Sequence, residues 1–395
     1  MDHQLTNHPQ PQFFQLSQTS HQKDFNQLAH TAHPHIVDTY HKQLIELYKI
    51  RHPRHKTNTT KLQLFINQFL GHTPENKSGT WIYYPWKNTL VHLLDQSEFF
   101  ELRTARNFPL ISKKDQLLFN QLSVGIIGLS VGNSIALSLV YAGGANTIKL
   151  ADPDTLELSN LNRIHATVLD LGENKTYLAA KQIYEINPYA KLILYPEGLT
   201  PENIKSYLTD DPKPNLIIDE CDNLTIKFNL RLIARSLKLP LLMVSDNGFE
   251  SNIDLLRFDT HPNAGRMGDA PILSTEDLVA ALNVTESLHL TPAEETQLII
   301  RLVGADKISH GMQQASFKYV KRQIAGWPQL SMTVFAGGAL ATYTALLLAK
   351  KSPTKGRTTS FSFPELLDPK HHTPRRQLKH LHHTKKFKHF IKSLS

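Results

Sequence analysis

The sequence predicts an α/β protein: a Rossmann-like, mainly parallel sheet with a mostly helical N-terminal extension and a basic C-terminal tail. Three observations predict it. From about Leu117 to residue 258, short β-rich runs alternate with helical stretches, the signature of βαβ units. A glycine-bearing turn, "GIIGLSVGNS", follows the first of those runs. An acidic residue, Asp152, closes the second run at close to the roughly 20-residue interval expected of a ribose-binding carboxylate.

The elements follow in order. Residues 1–35 are rich in Gln, His and Pro without apolar periodicity and read as a disordered leader. Residues 36–110 read as an N-terminal extension, helical over 36–70 (Ile36, Leu44, Ile45, Leu47) and a strand or hairpin in "GTWIYYPWKNTLVHLL", whose Trp and Tyr suit core packing. A central domain over 111–365 then begins with the β-run "SVGIIGL" and the small-residue helix "NSIALSLVYAGG". The alternation continues through "TIKLAD", "KTYLAAKQIYEIN", "KLILYP", "PENIKSYL", "NLIIDE", "NLTIKFNLRLIARSL" and "PLLMVSD". It loosens into helices such as "TEDLVAALN" and "AEETQLIIRLVG", and ends with the apolar helix "GGALATYTALLLAKK" and a final strand "TTSFSF". Residues 366–395 form a basic tail.

Composition narrows the classes. The 395 residues are 40% hydrophobic and 20% charged, as in soluble globular chains. No continuous apolar run of membrane-spanning length or secretory leader is read, so no membrane partner and a cytoplasmic location are expected. The single cysteine, Cys221, excludes an internal disulfide and paired CxxC zinc ligands. The formal charge of +8 is concentrated in the tail, which carries no acid after Asp368; RNA is therefore a candidate partner there, with a solvated tail as the alternative.

In an open parallel sheet, ligands sit beyond the C-terminal strand ends and the first strand-to-helix turn takes phosphates. Here that turn holds Gly128, Ser130 and Gly132 but is not a GxGxxG, so alone it is a weak signal. The loop after Asp152, "DPDTLELSNLNR", is more informative: Asp154 and Glu157 suit caps or ligands, while Asn160 and Arg163 offer donors beyond the ribose. Lys175 opens the next helix and can reach back to that loop. "DECDN" ends another strand, so Asp222 emerges on the same face, where a carboxylate can hold Mg²⁺ against a triphosphate. Asn223 follows it. Ser245, Asp246 and Asn247, at the next strand end, are candidates to face a second substrate.

Together "RTARN", "DPDTLELSNLNR", the lysine of "GENKTYLAAKQIYEINP" and "DECDN" resemble the ThiF/MoeB-type adenylyltransferases, relatives of the ubiquitin-activating enzymes, and most of all a branch whose members can carry a nitroreductase-like domain. The resemblance covers roughly 100–260, with a weaker likeness to about 350. It implies ATP and Mg²⁺, with Asp152 on the ribose, Asn160 and Arg163 on phosphates, Lys175 at the α-phosphate, Asp222 on the metal, and Arg106 as an arginine finger reaching the neighbouring subunit of a homodimer. The implied reaction is ATP-dependent activation of a carboxylate as an acyl-adenylate with release of pyrophosphate, working by positioning and charge neutralisation.

The sequence also departs from the family pattern. Ser130, Val131 and Asn133 stand where glycines are usual, Ile164 replaces a glutamine and Lys227 an arginine. No cysteine follows Cys221, so transfer through a thioester is not expected. The substrate class is a small-molecule or peptide carboxylate, including a carrier-protein C-terminus. The alternatives are a tRNA-modifying enzyme of the same fold, like the threonylcarbamoyladenosine cyclase, and a nucleotide-binding pseudoenzyme serving as a partner module.

Overall fold

A computed structural model describes residues 8–261, 275–287, 290–305, 307–354, 356–370 and 373–393. The chain divides into two units: Met1–Leu117 with Ala180–Ala190, and Leu118–Ala179 with Lys191–Ser395.

The first unit contains strand β1 (Gln12–Phe14), helix α1 (Thr19–Ala32), β2 (His35–Asp38), α2 (Tyr40–Arg51), α3 (Thr59–Leu70), β3 (Thr80–Tyr84), β4 (Thr89–Leu93), α4 (Gln96–Thr104) and most of α5 (Lys113–Asn120). Its four strands lie in the order β1-β3-β4-β2. The expectation of a disordered leader over 1–35 is corrected from residue 8 onward. Phe14, Leu16, Phe25 and Leu28 pack with Trp81, Tyr83 and Leu90, so scattered aromatics order a segment that periodicity does not betray. The boundary at residue 110 also moves, because 180–190 belongs to this unit. There Tyr84 Oη donates to the Tyr184 carbonyl (3.3 Å) and Tyr189 Oη to the Leu94 carbonyl (2.7 Å). The aromatic segment is core: His92 is stacked between Tyr40 and Trp81 at 4.2 and 4.3 Å.

The second unit runs β5 (Ser123–Ile127), α6 (Val131–Tyr141), β6 (Thr147–Ala151), α7 (Lys175–Ile186, its later residues falling in the first unit), β7 (Lys191–Tyr195), α8 (Ile204–Thr209), β8 (Leu216–Asp219), α9 (Leu224–Ser236), β9 (Leu241–Asp246) and β10 (Glu250–Leu256). It continues with α10 (Thr275–Ser287), α11 (Pro292–Val303), α12 (His310–Val320), α13 (Ser331–Ala349), β11 (Arg357–Ser362), α14 (Phe363–Leu367) and α15 (Pro374–Ser393). The seven strands are ordered β11-β10-β9-β8-β5-β6-β7. From β9 to β7 every pairing is parallel, and β10 and β11 add an antiparallel edge. The strand order reverses between β6 and β8 around β5, the switch point where such sheets bind ligands.

Two further expectations change. The 366–395 tail, read as a basic segment either solvated or facing RNA, folds into α15 over its described residues. Phe387, Phe390 and Ile391 recur at helical spacing and pack with Ile308, Met312 and Phe317, burying Phe387 completely. Among the described residues one helix, α13, is long and apolar enough to cross a membrane by length and composition. It instead packs on α6, β9 and β10. Gly338 makes that possible, since a Cβ there would stand 2.7 Å from Ser134 Oγ.

Asp254 in β10 is buried, with Oδ1 accepting from Thr358 and Oδ2 lacking a partner among the described residues. Burial raises its pKa to about 6. A raised carboxyl contributes stability that is fully present below its unfolded pKa of about 4 and is lost as pH rises through about 6. Asp254→Asn is expected to remove that dependence and stabilise the protein at pH 7.5 by up to about 3 kcal/mol. The check is chemical denaturation across pH 4–8; an unchanged slope would reject this role for Asp254.

Candidate functional site

The turn between β5 and α6 is held by what surrounds it. Gly128 has φ +84° and a Cβ there would meet the Glu220 carbonyl oxygen at 2.4 Å, so only glycine lets this turn lie on the end of β8. Gly132 is buried in the first turn of α6, where a Cβ would meet Ile126 at 2.8 Å. Both glycines of the altered motif therefore answer to close packing.

Asp152, at the end of β6, is buried and its two oxygens accept from Leu129 N (2.6 Å) and Asp154 N (2.9 Å). Burial raises its pKa, against the pull of Lys175 and of those amides. In this structure Asp152 fastens the phosphate-type turn to its own loop, and a ribose would have to use its remaining lone pairs. Asn160 is likewise buried; its Oδ1 accepts from Glu157 N (3.1 Å) in a reciprocal capping box.

Arg163 reaches across to the turn. Its Nε donates to Ser130 Oγ (2.9 Å), and Nη1 donates to Asn162 Oδ1 (2.8 Å) and the Ser159 carbonyl (3.2 Å). Burial lowers its pKa, with Asp222 and Asp246 acting to raise it. Asn162 Nδ2 in turn donates to the Gln329 carbonyl (2.8 Å), tying the loop to the segment before α13. The buried Lys175 Nζ pairs with Asp154 Oδ2 at 2.8 Å. The Asp154 carboxylate is itself 66% exposed, so the pair is one that a phosphate can displace.

Asp222 is exposed just past β8 and lines a pocket with Arg163, Ser130, Ser245, Asp246 and Asn247, which brings together segments that follow or end β5, β6, β8 and β9. Asn223 Oδ1 caps α9 by accepting from Ile226 N (3.0 Å), so it orients the helix after Asp222, and a nucleotide would have to use its remaining lone pair or its Nδ2 donors. Arg106 sits exposed in a short turn over 105–107 of the first unit.

Sequence reading missed the group beneath this site. Asp219, fully buried, pairs with Lys227 Nζ (3.1 Å) and with Arg231 Nη1 at 2.5 Å. Burial pushes its carboxyl up, but Lys227 and Arg231 prevail and hold it below the ordinary range. The spacing of Lys227 and Arg231 on α9 was visible; that both turn inward to one strand aspartate was not. Cys221 Sγ donates to Asp219 Oδ1 (3.0 Å), and burial beside that carboxylate pushes the thiol well above its usual range. A thiol so placed is a poor nucleophile.

A mainly parallel sheet with this constellation at its switch point defines an α/β protein of the Rossmann-like class. Residues 102–380 match the model of the ThiF family, and the chain belongs to that family. It is 35% identical over 260 residues to an uncharacterized protein of Mycobacterium tuberculosis, covering 66% of this chain and 34% of that protein. It is 28% identical to the sulfur carrier protein adenylyltransferase of Thermus thermophilus, covering 40% of this chain and 58% of the relative. It is 27% identical to the tRNA threonylcarbamoyladenosine dehydratase of Bacillus subtilis, covering 39% and 59%. The chain thus spans less than two thirds of the length of each of these relatives.

Proposed function

We propose that this protein activates a carboxylic acid with ATP. A substrate carboxylate oxygen forms a bond to the α-phosphorus, the bond from that phosphorus to the bridging oxygen of pyrophosphate breaks, and acyl-adenylate and pyrophosphate result. The observation that carries this reading is the convergence of Arg163, Ser130 and Asp222 on one pocket at the switch point of a ThiF-family sheet, with the paired Lys175 and Asp154 on the loop that Asp152 anchors.

Each group has a task that its surroundings allow. The Arg163 guanidinium, held beside the β5–α6 turn, matches phosphate oxygens with planar donors. Lys175, on exchanging Asp154 for a phosphate, balances charge at the site of attack. Asp222 is one exposed carboxylate, and no cluster of three metal-ligating side chains occurs among the described residues. That donor set suits Mg²⁺, which is commonly held by one or two carboxylates and substrate phosphates, and which would neutralise the triphosphate. Pushed up by its surroundings, the Cys221 thiol supports release of the activated acid to an acceptor without a thioester on this chain.

The lone cysteine suits a reducing, cytoplasmic setting, and the expected finger role of Arg106 suits a homodimer. A tRNA-modifying activity is the second reading. It is favoured by the exposed Lys385, Lys386 and Lys388 on α15 and by the likeness to the Bacillus subtilis tRNA threonylcarbamoyladenosine dehydratase.

Calorimetry with Mg-ATP and with NAD tests the nucleotide assignment. Binding of Mg-ATP at least tenfold tighter than NAD is expected, because the donors beyond Asp152 address a triphosphate. Binding of NAD without ATP would reject it.

A further inference from the structure

The pocket continues well past the groups assigned to phosphate and metal, and its far part has a chemistry of its own. The cavity measures about 460 Å³ and runs from Arg163 and Asp222 toward α11 and α12. Its deeper lining is apolar, including Ile299, Ile300, Val303, Ile308 and Met312. Tyr319 and Trp327 also line it, their rings 5.0 Å apart.

In the wall stands Asn252 of β10, fully buried. Its Nδ2 donates to the Lys307 carbonyl at 3.1 Å, which settles which end of the amide is nitrogen. Its Oδ1 has no hydrogen-bond partner among the described residues. Neighbouring Asn247 shows the contrast: Nδ2 donates to the same carbonyl (2.8 Å) and Oδ1 accepts from Ser309 N (2.8 Å), so both ends are filled. A buried acceptor left open is costly, and a turn of the Asn252 side chain toward the chamber would bring it to a donor from a ligand.

Charge in the pocket points the same way. Lys227 is spent on Asp219. Glu220 accepts from Val244 N, Asp246 from Leu330 N and Thr333, and Glu295 from Tyr319. The wall thus offers mainly acceptors, a setting for a hydroxyl or an amine.

We propose that this chamber holds the body of the acid being activated, and that the acid is a compact, largely apolar molecule with one carboxylate and a hydrogen-bond donor directed to Asn252. The inference rests on the adenylation reading above and specifies its substrate. A cavity of this size is that of a small-molecule site, with apolar walls and a few placed polar groups. An extended carrier-protein tail ending in glycines would leave the apolar lining unfilled.

The test is ATP–pyrophosphate exchange by the full chain with phenylacetate, 4-hydroxyphenylacetate, L-tyrosine and a synthetic peptide ending in Gly-Gly. Exchange with a donor-bearing aryl acid is expected, at least tenfold above phenylacetate. Met312→Trp, which fills the chamber, should lower it tenfold or more while calorimetry shows Mg-ATP binding intact. Asn252→Leu should erase the preference for the donor, and it carries the test if Met312→Trp fails to bind ATP. Exchange with the Gly-Gly peptide alone, unaffected by Met312→Trp, would overturn this inference and leave adenylation standing. Equal exchange with phenylacetate would overturn the donor requirement. No exchange with any acid or peptide would overturn the adenylation reading itself.

Discussion

Asp222→Asn is expected to abolish ATP–pyrophosphate exchange, by roughly a hundredfold or more, while leaving the fold intact. A metal-bound phosphate draws several kcal/mol of its charge stabilisation from the cation, and the asparagine keeps shape but removes the anionic ligand. Asp222 is exposed just before α9, whose cap is supplied by Asn223, so stability should change by no more than about 0.5 kcal/mol. Exchange rates and a thermal melt on the same preparation separate the two effects. Normal exchange in the variant would take Asp222 out of the mechanism.

The second large effect is expected at Arg106. An arginine that supplies transition-state charge in trans is worth on the order of 10³–10⁵ in rate, so Arg106→Ala alone should be inactive. If the guanidinium serves the partner's site in a homodimer, mixing Arg106→Ala with Asp222→Asn rebuilds one complete site in each heterodimer. Exchange activity should then return to a substantial fraction of the wild-type value. The observation behind this is that Arg106 is exposed, in a short turn that follows α4. A monomer by light scattering, or no recovery after verified subunit exchange, would dispose of the trans assignment.

The parallel sheet and the loop chemistry were legible in the chain because both are local. Strand runs and helices of regular length show as periodicity, and the loop after Asp152 places its donors within a few residues of one another. The leader and tail were misread for the opposite reason. Phe14, Phe25 and Phe387 sit in polar surroundings, and each becomes core only by meeting residues far along the chain. Asn223 shows the same limit on a smaller scale: the helix cap it supplies was not legible beside the aspartate it follows.

By itself, then, the sequence determined the class of fold, the order of its βαβ units and the residues that could address a nucleotide, since spacing along a strand–turn–helix dictates which side chains emerge at one edge. Only the tertiary structure decided what those residues are committed to. Asp152 is bound by two amides, Lys175 is paired with Asp154, and Lys227 and Arg231 turn inward to Asp219. It also decided that α11, read from sequence only as a helix, and α12, which was not read from sequence, turn part of their apolar residues to a pocket rather than to a filled core. The physical reason is that a hydrophobic stripe specifies which face is buried but not what is buried against it, and a charge specifies a need for a partner but not which partner the fold will bring.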